Sequence, residues 1–124
     1  MKPQCPEILL IEKDEITLEL YQRELSKSFT VVAFTELGGV LETLTERDIR
    51  AVIIEPETCT GQGWELIDTI HAAFPGWSIP VIVCSTRDES SQNRGRGVSN
   101  YLTKPVLPRT LREKTLEIVS HHPK

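Results

Sequence analysis

Short apolar runs rich in isoleucine and valine recur at residues 8–11, 30–34, 51–54, 80–84 and 101–103, and most of the stretches between them have the 3.6-residue period of helices. A strand that is apolar at every position has no face to offer to water, so it must be covered on both sides. Strands of that kind, alternating with helices, build a parallel sheet with helices packed on each face. The expected fold class is therefore α/β, a doubly wound five-stranded parallel sheet. At 124 residues, with 39% hydrophobic and 26% charged side chains, the chain has the size and mix of a single domain spanning residues 1–124.

Local signals place the helices. Asp14 is an N-cap for a first helix running through Ser28, with Glu15 favourable in its first turn and Ile16, Leu20 and Leu25 sharing its buried face. Val40, Leu41 and Leu44 mark a second helix with Thr35 as its cap, and Trp64, Leu66, Ile67 and Ile70 mark a third. Leu107, Leu111, Ile118 and Val119 mark the last, with Pro108 suited to its first turn. Residues 87–97 are the exception. They read Arg-Asp-Glu-Ser-Ser-Gln-Asn-Arg-Gly-Arg-Gly, with no apolar residue to pack on the sheet, so the helix that belongs there is expected to be short, frayed or disordered.

Composition excludes several function classes. A net charge of −4 argues against a non-specific grip on nucleic acid or anionic lipid, both of which need basic surface. No segment approaches the roughly 20 consecutive apolar residues that span a bilayer. Three cysteines, Cys5, Cys59 and Cys84, have neither zinc-site spacing nor the density of a disulfide scaffold, and a reducing cytoplasm is expected. Cys59 and Cys84 read as packing residues, His71 as a helix-capping or solvent-facing residue, and His121-His122 as too isolated for a metal site. No catalytic triad or phosphate-binding glycine loop is present, and no catalytic residue is assigned.

In doubly wound sheets, ligands gather beyond the carboxyl ends of the strands. Here those ends carry Glu12-Lys13-Asp14-Glu15, Glu55, Ser85-Thr86 and Lys104-Pro105, so acids, a hydroxyl and a lysine are expected at one rim. The segments Ile8-Leu-Leu-Ile-Glu-Lys-Asp-Glu15, Ala51-Val-Ile-Ile-Glu55, Pro80-Val-Ile-Val-Cys-Ser85 and Tyr101-Leu-Thr-Lys-Pro105, with Gly63 ahead of the third helix, resemble the receiver domain of two-component response regulators. The resemblance runs from Glu7 to about Val119 and implies a flavodoxin-like, receiver-like sheet. It also implies a phosphoacceptor position at Glu55, an acidic pocket at Glu12, Lys13 and Asp14, a phosphate-contacting hydroxyl at Ser85, a pairing cation at Lys104 and an aromatic switch at Tyr101.

Three positions depart from the receiver pattern, and all point one way. Receivers place aspartate where this chain has Glu55. The longer side chain carries its carboxylate roughly 1.5 Å further, toward the place of a phosphoryl oxygen, which suits mimicry of the charged product and spoils in-line attack. Lys13 replaces a carboxylate that would help hold Mg²⁺ and is a candidate to neutralise Glu12 or Glu55 itself, so metal binding is expected to be weak or lost and no cofactor is assigned. Pro56 removes a backbone donor beside the acceptor position. The expectation is a degenerate receiver, not an enzyme, that binds a protein partner such as a histidine kinase or an output protein. It is expected to be a monomer or weak dimer, because polar residues 87–97 fall in the face that receivers use for pairing. Two alternatives stand beside it: a receiver still phosphorylated in a Mg-dependent way by a histidine kinase, and a flavodoxin-type cofactor binder, against which the acidic run Glu12 to Glu15 would repel a phosphate.

Overall fold

The all-apolar runs become the inner strands of one parallel sheet, described in a computed structural model over residues 5–56, 63–75, 79–85 and 98–121. In chain order the elements are β1 (Glu7–Ile11), α1 (Glu15–Leu25), β2 (Thr30–Phe34), α2 (Val40–Glu46), β3 (Ile49–Ile54), α3 (Gly63–Ala73), β4 (Val81–Ser85), β5 (Val98–Thr103) and α4 (Pro108–His121). The five strands lie in the order β2-β1-β3-β4-β5, all parallel, which is the doubly wound sheet expected from the sequence. β1, β3 and β4 are interior and buried almost throughout, whereas edge strand β2 is half-exposed.

Strand alternation sorts the core into two layers. Leu9, Ile11, Val52, Ile54, Val81 and Val83 face Val40, Leu44, Trp64, Ile67 and Ile70 of α2 and α3. Ile8, Leu10, Ala51, Ile53, Ile82 and Cys84 face Tyr21, Leu25, Leu111 and Ile118 of α1 and α4. Each fully buried aliphatic side chain contributes about 1.5–3 kcal/mol of transfer free energy, so these two layers are the main favourable term in folding.

Several expectations about the helices need correction. Asp14 does cap α1, accepting from the Thr17 backbone N–H at 3.0 Å and from its hydroxyl. The helix ends at Leu25 instead of Ser28, because the bonds tighten there: Lys27 N–H donates to Glu24 O at 3.2 Å and Ser28 N–H to Leu25 O at 3.0 Å. Its buried stripe is Leu18, Tyr21 and Leu25, and Ile16 and Leu20 point outward at 73% and 49% exposure. The expected triplet fails on geometry, because Ile16 and Leu25 are nine residues apart and so about 180° round the helix, whereas Leu18, Tyr21 and Leu25 fall within about 60° of one another. Thr35 is not the cap of α2, which begins five residues later behind Gly39, a residue at φ +86° that an L side chain would strain. Leu41 lies at the exposed margin of α2, and Leu107 precedes α4 and is 71% exposed. Residues 87–97, Cys59 and His122 lie outside the described residues.

Candidate functional site

Register determines what meets at the carboxyl edge of the sheet. Ile11 pairs with Ile54, Ile54 with Val83 and Val83 with Tyr101, so the residues that follow these strands come level. The ladder continues one step beyond the strands themselves. Glu12 N–H donates to Phe34 O at 3.0 Å, Glu55 N–H to Ile11 O at 3.0 Å, and Lys104 N–H to Ser85 O at 2.7 Å. Each of the three residues thus has its backbone held by a neighbouring strand, which fixes where its side chain starts.

Alternation then decides which side chains converge. Glu12, Glu55 and Lys104 continue the parity of Leu10, Ile53 and Leu102, whose side chains face α1 and α4. The Lys104 ammonium donates to Glu12 Oε1 and stands 3.5 Å from Glu55 Oε2. Asp14 N–H donates to the other Glu12 oxygen, Oε2, at 3.2 Å. Glu12 and Glu55 are only 2% and 4% exposed, and the Lys104 side chain 13%. Ser85 and Tyr101 have the opposite parity: Ser85 is fully buried and Tyr101 packs against the α2–α3 layer. The predicted set is therefore brought to one edge but divided between its two faces.

Lys13 is not the internal counter-ion. It is exposed and makes no ion pair among the described residues, whereas Lys104 takes both carboxylates. The reason is geometric. A residue after Glu12 on a strand end points to the other side, and here the chain is already leaving the sheet for the Asp14 cap.

Two carboxylates and one ammonium leave the cluster one negative charge in excess, and the surroundings register it. Burial first, then the charges of Cys84, Glu12 and Glu55, push the Tyr21 phenol up to about 12. Burial likewise lifts the Cys84 thiol to about 12; Glu12 and Glu55 add to the rise and Lys104 opposes it, so Cys84 is an inert packing residue as expected. Asp14 is held below the ordinary aspartate value by its two bonds from Thr17. His71, expected to cap or face solvent, is half-buried in the last turn of α3, with a buried Nε2 that lacks a hydrogen-bond partner.

Two features escape a reading of the sequence. Tyr21 donates its hydroxyl to Val106 O at 3.2 Å and so ties α1 to the turn that carries Lys104. Its signal was the Leu18–Tyr21–Leu25 stripe, obscured by the equally spaced Ile16 and Leu20. The second is the reason for Gly63: a Cβ there would lie 2.7 Å from Pro56 Cα and 2.8 Å from Pro56 O, so the start of α3 approaches the backbone beside Glu55 more closely than any side chain allows. The peptide joining Lys104 to Pro105 is cis.

No protein-family model and no curated protein matches the sequence. Solved structures do. A CheY-like response-regulator receiver domain protein from Methanospirillum hungatei superposes with a TM-score of 0.85 at 22% identity, covering 96% of this chain and 97% of the other. The signal receiver domain of an HD domain-containing protein from Pseudomonas fluorescens gives 0.84 at 24% identity, over 96% and 98%. An orphan response regulator of H. pylori gives 0.81 at 20% identity, over 94% and 99%. The chain has the fold of CheY-like receiver domains over nearly all of its length.

Proposed function

We propose that this chain is a signal-transduction domain of the receiver type that works by binding a protein partner, a histidine kinase or an output protein, without a phosphorylation cycle of its own. The observation that carries the reading is the ion cluster: at the phosphoacceptor position stands Glu55, buried, with the Lys104 ammonium shared between it and Glu12. A glutamate reaching a built-in cation is a standing imitation of a charged phosphoryl group, and the chemistry needs no trigger. The donor set also suits magnesium poorly. Its two buried carboxylates already share an ammonium, and the neighbouring position that would supply a third oxygen carries exposed Lys13. Pro56, buried directly after Glu55, offers no N–H to an incoming anion.

Intact-mass measurement after incubation with acetyl phosphate and Mg²⁺ tests the reading. The wild type is expected to take no acid-labile adduct, and Glu55→Asp combined with Lys13→Asp to gain one. A stoichiometric adduct on the wild type overturns it. That result would favour the second reading, Mg-dependent phosphorylation, which is supported by the Lys104 ammonium reaching the Glu55 carboxylate at 3.5 Å.

A further inference from the structure

We infer that the edge strand β2 pairs antiparallel with β2 of a second copy of this chain, joining two five-stranded sheets into one across a two-fold axis at Val32.

Two strands lie at the margins of the sheet, β2 and β5, and they are not built alike. The ladder from β4 to β5 shifts register between Val81 and Ile82, and the polar Asn100 sits at the shift. Irregular pairing and polar residues are among the means by which an edge is kept from recruiting another strand. β2 reads Thr-Val-Val-Ala-Phe, with no charge, no proline and an unbroken register to β1 from Thr30 to Phe34. Its apolar side chains are half-buried on both faces: Val32 and Phe34 border the α2–α3 layer and Val31 the α1–α4 layer. A further strand laid along this edge would cover what they still expose.

Backbone direction fixes the register. Thr30 N–H donates to Pro6 O at 2.9 Å, and Phe34 O accepts from Glu12 N–H at 3.0 Å. Thr30 and Phe34, and Val32 between them by alternation, therefore turn their peptide groups toward β1, which leaves those of Val31 and Ala33 pointing outward. An antiparallel strand bonds to them where two outward-facing residues stand opposite each other. A two-fold at Val32 does this. Val31 exchanges its N–H and C=O with Ala33 of the second copy, and Ala33 with Val31; Val32 faces its own counterpart, and Thr30 faces Phe34. Every position of the strand is then used. Axes at Val31 or Ala33 pair fewer strand residues, because Phe29 or Thr35, both outside β2, would stand opposite an outward-facing residue.

Charge agrees with this register and with a second copy as the occupant. The strand carries no like charge to repel its twin. Beyond its ends, the pairing brings Glu36 level with Ser28 of the second copy and beside Lys27, and the two-fold repeats the meeting at the other end. Glu36 is exposed and makes no ion pair among the described residues, and Lys27, its side chain 64% exposed, holds only Glu24 of its own helix end. Size sets the strength. A five-residue strand pair belongs to the small class of interfaces, below roughly 1,200 Å² in total, so the dimer is weak and concentration-dependent.

Light scattering from about 10 µM to about 1 mM tests the pairing over the range where small interfaces form. The average mass is expected to rise from 14.0 kDa toward twice that value. The amides of Val31 and Ala33 should exchange more slowly at the top of the series, while that of Val32, already bonded to β1, hardly changes. Ala33→Pro removes an N–H that points away from β1, so the ladder keeps its bonds and the circular dichroism should be unaltered, whereas the dimer weakens at least about tenfold. A second pair of variants does not depend on proline. In a Cys5→Ser background, Val32→Cys treated with glutathione disulfide should link to its own counterpart, whose Cα lies roughly 4.5 Å away, with the linkage located by peptide mass. Val31→Cys, more than about 7 Å from its counterpart, should not. A monomer at every concentration overturns the inference. So does a dimer untouched by Ala33→Pro, or cross-linking at residue 31 as ready as at residue 32, either of which gives the contact to another face or register.

Discussion

Lys104→Met should be among the most damaging single substitutions in this protein, because it keeps the length of the side chain and deletes the charge that two buried carboxylates share. Glu12 and Glu55, at 2% and 4% exposure, would face each other with no cation and almost no water. Removing one partner of a buried ion pair typically costs about 3–5 kcal/mol, since the penalty is that of an uncompensated buried charge and not merely of a lost bond. With a urea slope of about 1–3 kcal/mol/M for a domain of this size, the midpoint should fall by about 2 M at pH 7, followed through the fluorescence of Trp64 and Trp77. One further measurement identifies the cause. Adding Glu12→Gln to Lys104→Met should restore part of the loss, with a coupling of about 1–3 kcal/mol in a double-mutant cycle. A loss below about 1 kcal/mol, or no coupling to Glu12, would show that the cluster is solvated and that Lys104 is an ordinary turn lysine.

Gly63→Ala places a methyl group within 2.8 Å of the Pro56 backbone, so a cost of about 1–3 kcal/mol and a clear drop in melting temperature are expected by calorimetry. Tyr21→Phe loses the bond to Val106 O, with an expected cost of about 0.5–1.5 kcal/mol in chemical denaturation, and should remove from the ultraviolet titration a phenol that otherwise ionises only at about 12. Asp14 has its folded value depressed, so its capping contribution is complete above the ordinary aspartate range and lost as pH falls through that depressed value. An NMR titration should place its midpoint below 3.8, and Thr17→Val should move it upward. Leu44→Ala, at a site 2% exposed, should cost about 2–5 kcal/mol in the same denaturation assay.

Much of the scaffold was legible because its signals are local. All-apolar runs demanded two-sided cover, and the five strands and their parallel order follow from it. Asp14 is a cap because a carboxylate one residue ahead of a helix has only the first-turn N–H groups to meet. The misreadings occur where local rules allow two answers. On α1, Ile16–Leu20 and Leu18–Tyr21 are both valid stripes, and hydrophobicity alone prefers the one that turned out exposed. Thr35 has a capping side chain, but a glycine with positive φ nearer the helix took the turn. At the strand edge, charge counting suggested Lys13 as the counter-ion because it is adjacent in sequence, whereas side-chain parity sends it away from Glu12.

By itself, then, the order of amino acids determined the α/β class, the strands, the Asp14 cap and the identity of the residues at the carboxyl edge, all of which depend on local patterns of a few residues. Only the tertiary structure decided that Lys104, 92 residues from Glu12, bridges both buried carboxylates, and that Ile16, Leu20 and Leu107 remain in water. The physical reason is that these outcomes depend on register and on which helix face the sheet occupies, and such distances are set by packing between segments remote in the chain.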